Sequence, residues 1–371
     1  METRRMEKLG LTTSLLGFGC MRLPQKDGHI DYDESTRMIE EAYNGGVRYF
    51  DTAYVYNGGE SERALGRAIK KFDRSTFFIA DKLPVFNVKS REQAEQMFNE
   101  HLERLGTDYI DFYLLHALNK GTWENNVKRL GLIEFAEEKR RQGKIRHLGF
   151  SFHDTPEVFR EIIDSHNWDF CQIQLNYVDW TAQRASECYK MTAERNIPLV
   201  VMEPVRGGDL ANPADEVKKI FLDAEPDRSV ASWALRYVAS LPNVRVILSG
   251  MSTMEQVKDN LATFNNLKPL DDKERAVIDR VNAALAAVPE IGCTGCRYCM
   301  PCPAGVDIPD NFRAYNNYQK YRNVRSTKNK FLNIEGAATL CKECGACMKK
   351  CPQHLRIPEE LKKVEKLRQS L

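Results

Sequence analysis

The chain has 371 residues, enough for one large domain plus a small one. Charged residues make up 29% but nearly cancel to a formal net charge of +2, which excludes the strongly basic profile of a nucleic-acid binder. The opening METRRMEKLG is charged and lacks an apolar core, and no window approaches about eighteen uninterrupted apolar residues. Neither a secretory signal nor a membrane span is expected, and the expected location is cytoplasmic.

In chain order, eight short runs have strand character: LLGFGCM, VRYFDTA, FFIADKL, IDFYLLHA, RHLGFSF, FCQIQLNY, PLVVMEP and RVILSGM. Most are apolar throughout, as strands buried on both faces should be. Between them lie helical patterns such as DESTRMIEEAYNGG, SREQAEQMFNEHLERLG and GLIEFAEEKRRQGK, with apolar residues three and four apart and glycine near the end. Eight strand–helix repeats over about 280 residues match the count and size of a (β/α)8 TIM barrel. The rival, a doubly wound open sheet, would usually carry G-x-G-x-x-G after its first strand, and GFGCMR supplies only two glycines. An α/β fold is therefore expected, with a barrel over residues 1–288 ending at AALAAVPEIG, followed by a small cysteine-bearing domain over 289–371.

In a barrel, chemistry belongs at the C-terminal strand ends. Asp51 closes RYFD with Tyr56 in the loop beyond, Lys82 closes FFIADK and His116 closes DFYLLH. Singly, each is an ordinary polar residue; together they form one proton-donating device. An ammonium about 4 Å from a phenol contributes on the order of 4 kcal/mol at an effective dielectric of 20, equivalent to roughly three pKa units before desolvation opposes it. A carboxylate would hold that ammonium, and an imidazole would orient a carbonyl oxygen for general acid catalysis.

At these residues the chain resembles the aldo-keto reductase superfamily, on GFGCMRL, FDTAYVYNGGESERALGRAI, DKL, LLHA, GKIRHLGFS and QIQLNY, over about residues 8–270. The resemblance implies NAD(P)H-dependent reduction of a small aldehyde or ketone, with the catalytic tetrad on Asp51, Tyr56, Lys82 and His116. It also implies that Gly19, Met21 and Arg22 lie near the nicotinamide, and that Ser151 and Gln172 hydrogen-bond its carboxamide. Met202 stands where many members stack an aromatic ring, and Phe152 where many carry asparagine. Gly250, Gln256 and Asn260 in LSGMSTMEQVKDN fall at the adenosine end, without the lysine and arginine that usually meet a 2′-phosphate. The implied cofactor is NADP(H), with NAD(H) the alternative.

Eight of the eleven cysteines fall in the last eighty residues, in CTGCRYCMPCP and CKECGACMKKCP. In a chain without an export signal, such packing points to metal rather than disulfides. The second run is C-x2-C-x2-C-x3-C-P, the bacterial [4Fe–4S] spacing; the first has one residue fewer before its last cysteine. Structural zinc is the alternative. The segment resembles a two-cluster ferredoxin domain, with GVDIP and HLRIP after the two runs marking an internal repeat. The resemblance implies two [4Fe–4S] clusters, one on Cys293, Cys296, Cys299 and Cys351, the other on Cys341, Cys344, Cys347 and Cys302. Between the runs, DNFRAYNNYQKYRNVR is expected as a helix that packs on the barrel or docks a partner. The clusters are expected to serve electron transfer or structure, with a redox protein as a candidate partner beside the small carbonyl substrate. The alternative function is an electron-transfer or interaction subunit whose barrel binds nucleotide but turns over little.

Overall fold

A computed structural model describes residues 1–371. The chain forms two compact units, Met1–Pro204 with Ser232–Asp271, and Val205–Ala231 with Asp272–Leu371. The segments 205–231 and 272–287 thus cluster by contacts with the cysteine-bearing segment. No helix is long and apolar enough to cross a membrane.

The first unit opens with a hairpin, β1 (Thr3–Met6) antiparallel to β2 (Leu11–Ser14). The first barrel strand is β3 (Leu16–Gly19), and a two-residue pair follows, β4 (Gln25–Lys26) and β5 (His29–Ile30). Then come β6 (Tyr49–Asp51), β7 (Phe78–Leu83), β8 (Ile110–Leu118), β9 (Ile145–Phe152), β10 (Phe170–Gln174), β11 (Leu199–Met202) and β12 (Val244–Ser249). All eight expected strands are present, and β3 with β6–β12 closes a parallel barrel in chain order.

Register explains which residues face inward. Asp51 pairs with Ala80, Lys82 with Leu114, Leu114 with Gly149, Ser151 with Gln172 and Gln172 with Val200. Because strand side chains alternate with period two, Tyr49, Ala80, Phe112, Leu114, Phe170, Val200, Val246 and Leu248 fall on one face. They form one buried cluster, which Met6 of the hairpin also joins. Two residues further along their strands, the same parity carries Asp51, Lys82, His116, Ser151, Gln172 and Met202 into the upper layer.

Gly149 in β9 shows how tightly this interior closes. A Cβ there would lie 2.6 Å from the carbonyl oxygen of Phe170 and 2.7 Å from its ring. Gly149→Ala is therefore expected to destabilise the barrel by about 1–3 kcal/mol, read as a lower denaturant midpoint at unchanged slope.

In the second unit, each cysteine run leads into a helix that starts Ile-Pro: Ile308–Tyr321 and Ile357–Ser370. Proline suits the first helical turn, where its missing N–H leaves no bond unmade. Ile308 and Ile357 are buried in one core with Val306, Phe312, Phe331, Leu361 and Val364, alongside Cys299 and Cys347. Gly336 permits a close crossing: its carbonyl accepts from Asp307 N at 2.9 Å and Asn311 Nδ2 at 2.7 Å, and a Cβ would fall 2.2 Å from Gly305 O. The helix expected within DNFRAYNNYQKYRNVR is present and packs against the helices Val324–Leu332 and Ile357–Ser370. Its far end binds the segment after β11. Asn317 and Asn323 donate to the Asp209 carboxylate at 3.1 and 2.9 Å, and the Arg206 guanidinium lies 5.0 Å from the Tyr321 ring centre.

Candidate functional site

At the C-terminal end of the barrel, Lys82 is fully buried and its Nζ donates three ways. The partners are Asp51 Oδ1 at 2.6 Å, the backbone carbonyl of Thr52 at 2.6 Å and Tyr56 Oη at 3.3 Å. Tyr56 opens a short 3-10 turn, and Asn57 and Gly58 after it adopt left-handed backbone angles that fold the loop back. The His116 ring meets the Tyr56 ring edge-on at 5.9 Å between centres. Its strand bulges just there, where the register slips between Leu115 and Leu118 and Ala117 takes φ 55°.

The electrostatics separate the four groups. Burial opposes charge on Lys82, but the Asp51 carboxylate and Tyr56 outweigh it and hold the ammonium well above its ordinary range. For Tyr56, burial raises the phenol above 10, and the attraction of Lys82 only partly offsets it. The expected downward shift is thus reversed: with Tyr56 almost enclosed, desolvation exceeds the Coulomb gain. His116 is held well below 6.5, first by burial and then by repulsion from Lys82, so its imidazole is neutral at pH 7.

The residues expected around the nicotinamide stand on adjoining strands. Ser151 Oγ accepts from Ala117 N at 2.7 Å, keeping its own proton to donate. Gln172 is buried; its Nε2 reaches Met202 Sδ at 3.4 Å while Oε1 has no hydrogen-bond partner. An unpaired acceptor beside a hydroxyl donor matches the two ends of a primary carboxamide, and on this observation the residues fit the group. Gly19 and Gly250 approach each other, and Met21 is half exposed. A Cβ on Gly250 would press on the Arg22 side chain at 3.2 Å, and Arg22 Nη2 reaches Glu203 Oε1 at 3.3 Å. Gln256 Oε1 accepts from Ser252 N at 2.7 Å, and Asn260, buried, donates to Ser249 Oγ at 2.8 Å.

Three contributors are invisible in the sequence reading. The Thr52 carbonyl is a backbone group and leaves no residue signature. Phe86 is 44% exposed, with its ring 5.7 Å from His116; its only sign is an apolar residue just past a strand end. Asp81, of opposite parity to Lys82, points outward into a fully buried network. There His101 Nδ1 lies 2.6 Å from Glu62 and 2.9 Å from Asp81. Burial alone would lower His101, but the two carboxylates push it up to about 9. This network ties β7 to the helices Glu60–Ile69 and Arg91–Leu105, which carry Glu62 and His101.

In the second unit no cysteine is in a disulfide. Cys293 and Cys296 lie near Cys299, and Cys302 and Cys341 near Cys347. Burial raises both central thiols, and Cys347 also lies near Cys299. Cys351 packs on the same core, and Cys344 is exposed. The sole set of three ligand atoms within 4.8 Å of one another is Glu62, Asp81 and His101, not cysteines. Six of the eight thiols, Cys293, Cys296 and Cys299 with Cys302, Cys341 and Cys347, lie in two adjoining neighbourhoods, and thiolates so grouped are a donor type that fits iron–sulfur ligation.

A barrel with these strand-end groups, joined to a cysteine-rich module, defines an NAD(P)H-using oxidoreductase fold fused to an iron–sulfur-binding domain. The family model for the aldo/keto reductase family matches residues 15–283, and that for a 4Fe-4S dicluster domain matches residues 292–355. The chain belongs to the aldo/keto reductase family. It is 27% identical over 307 residues to the uncharacterized oxidoreductase YqkF of Bacillus subtilis, covering 75% of this chain and 95% of that protein. It is 25% identical over 310 residues to the NADH-specific methylglyoxal reductase of Escherichia coli, covering 72% and 92%. The holo form of aldo-keto reductase AKR11C1 from Bacillus halodurans superposes with TM-score 0.64 at 28% identity, over 76% of this chain and 96% of that one.

Proposed function

We propose that the barrel reduces a small aldehyde or ketone with NAD(P)H, with Tyr56 as the acid. When bound, the nicotinamide supplies a hydride to the carbonyl carbon. Tyr56 Oη gives its proton to the carbonyl oxygen, yielding the alcohol. Lys82 at 3.3 Å stabilises the phenolate left behind, and Asp51 and Thr52 O hold that ammonium in place. Neutral His116 donates one N–H to the carbonyl oxygen, and Phe86 forms an apolar wall beside it. Ser151 and Gln172 hold the carboxamide, Met202 flanks the ring, and Gly19, Met21, Arg22, Gly250, Gln256 and Asn260 serve the rest of the cofactor. The carrying observation is the convergence of Asp51, Tyr56 and the fully buried Lys82 on one nitrogen.

NADP(H) and NAD(H) are both candidates. The turn at 251–256 offers Ser252, Thr253 and Glu255 but no cation, which favours a ribose without a 2′-phosphate. In the module over 289–371, Cys293, Cys296, Cys299 and Cys351 are proposed to hold one [4Fe–4S] cluster. Cys341, Cys344, Cys347 and Cys302 are proposed to hold the other, for one-electron transfer.

The test is carbonyl-dependent oxidation of NADH and NADPH across an aldehyde and ketone panel at varied pH. The acid form of Tyr56 is lost only as pH rises past a value above 10. Neutral His116 is lost only as pH falls to a value well below 6.5. The expected kcat is flat between these limits, and a step near neutral pH would reassign the acid. Stoichiometric partner capture without turnover on any carbonyl would instead favour a binding subunit.

A further inference from the structure

The last 83 residues carry 15 Lys and Arg against 8 Asp and Glu, a net charge of +7 inside a chain of net +2. The two cysteine runs share this charge unequally. In the first, Arg297 is neutralised by Asp307 at 2.7 Å and Asp310 at 3.6 Å. In the second, the one acid, Glu343, is already paired with Lys362 of the last helix at 2.8 Å. Lys342, Lys349 and Lys350 are exposed and form no ion pair. They flank Cys344, the exposed cysteine of that run, along the chain, and Leu340 and Met348 in the same stretch are bare at 42% and 43% exposure. The loop is held in this form by turns at Glu343 and Gly345, both with positive φ, and by the Cys347 carbonyl accepting from Lys350 N.

An apolar centre with unpaired cations around it is the pattern of a transient docking surface, where charge steers the encounter and little area is buried. We propose that the surface around Cys344 docks an acidic one-electron carrier protein. Charge complementarity selects such a partner, and the exposed Cys344 within this stretch gives the contact a redox purpose. This rests on the reading of the eight cysteines as iron–sulfur ligands. In each encounter one electron passes: the reduced carrier is oxidised by one, the iron–sulfur group is reduced by one, no bond changes and no proton moves. A solvated basic face without a partner, or an anionic membrane, are the competing occupants.

The test uses the anaerobic holoenzyme, with fully reduced flavodoxin as an acidic carrier and dithionite as a small reductant. Reduction is followed by bleaching of the visible absorbance. In the native protein the flavodoxin rate is expected to fall as salt rises. The triple variant Lys342→Glu, Lys349→Glu, Lys350→Glu should react at least about tenfold more slowly at low ionic strength and lose that salt dependence. The Lys→Gln triple should fall between. Iron and sulfide content, dithionite bleaching and NAD(P)H-dependent carbonyl turnover should not change. Calorimetric titration with oxidised flavodoxin should show weakened binding in the same order.

A triple variant as fast as the native protein, or a native protein that flavodoxin does not reduce in a salt-dependent way, overturns the docking surface. So does charge-dependent sedimentation with phosphatidylserine vesicles while flavodoxin kinetics stay unaltered. If native protein contains no iron and dithionite bleaches nothing, the iron–sulfur reading itself has failed. Normal bleaching with an indifferent flavodoxin rate removes only the docking proposal.

Discussion

Tyr56→Phe is expected to lower kcat for carbonyl reduction by about 10²–10⁴-fold, the usual contribution of a positioned general acid. That factor corresponds to roughly 3–5.5 kcal/mol of barrier. The phenol hydroxyl is the hydrogen-bonding proton carrier beside Lys82, and phenylalanine keeps the ring against His116 while removing only that proton. Binding of NAD(P)H, followed by quenching of protein fluorescence, should stay within about twofold, because the proposed cofactor residues Ser151, Gln172 and Met202 are untouched. An equal loss of cofactor binding would indicate a collapsed loop rather than a missing acid. Lys82 would then carry a buried ammonium with one partner fewer, so the variant should also be modestly less stable.

Cys347→Ala is expected to remove roughly half of the iron and sulfide and to loosen the C-terminal module. Cys347 is buried in the core that holds Val306, Ile308, Phe312 and Ile357, and it neighbours both Cys302 and Cys341. A module of this size buries little apolar surface, so the proposed ligation would contribute to its folding. Limited proteolysis should cut within residues 289–371 in the variant well before the native protein. Zinc in place of iron, or an unaltered iron count, would reject the assignment of this cysteine. Because the barrel closes through its own strand register, carbonyl turnover should survive the substitution, which separates the two centres experimentally.

Strand positions were legible because they depend on local pattern. Apolar runs such as FFIADKL and IDFYLLHA announce doubly buried strands, and parity within each then carries Asp51, Lys82 and His116 to a shared face. The cysteine runs were equally local, since ligand spacing is a property of a dozen consecutive residues. Family resemblance added the positions of Ser151, Gln172 and Met202, which periodicity alone would not single out.

Local pattern is therefore enough to announce a parallel barrel with an ionisable constellation at its strand ends and a separate thiol-rich module. Tertiary structure alone decided the direction of the Tyr56 shift, because desolvation depends on everything that encloses the phenol and not on its one cationic neighbour. Only the folded chain reveals that the Thr52 carbonyl binds Lys82, that Phe86 stands beside His116, and that Asp81 faces Glu62 and His101. Only there does the segment after β11 join the C-terminal unit through Asp209. Periodicity reports which face a residue occupies; what waits on that face is set by segments distant in sequence, and burial and partner identity are sums over those segments.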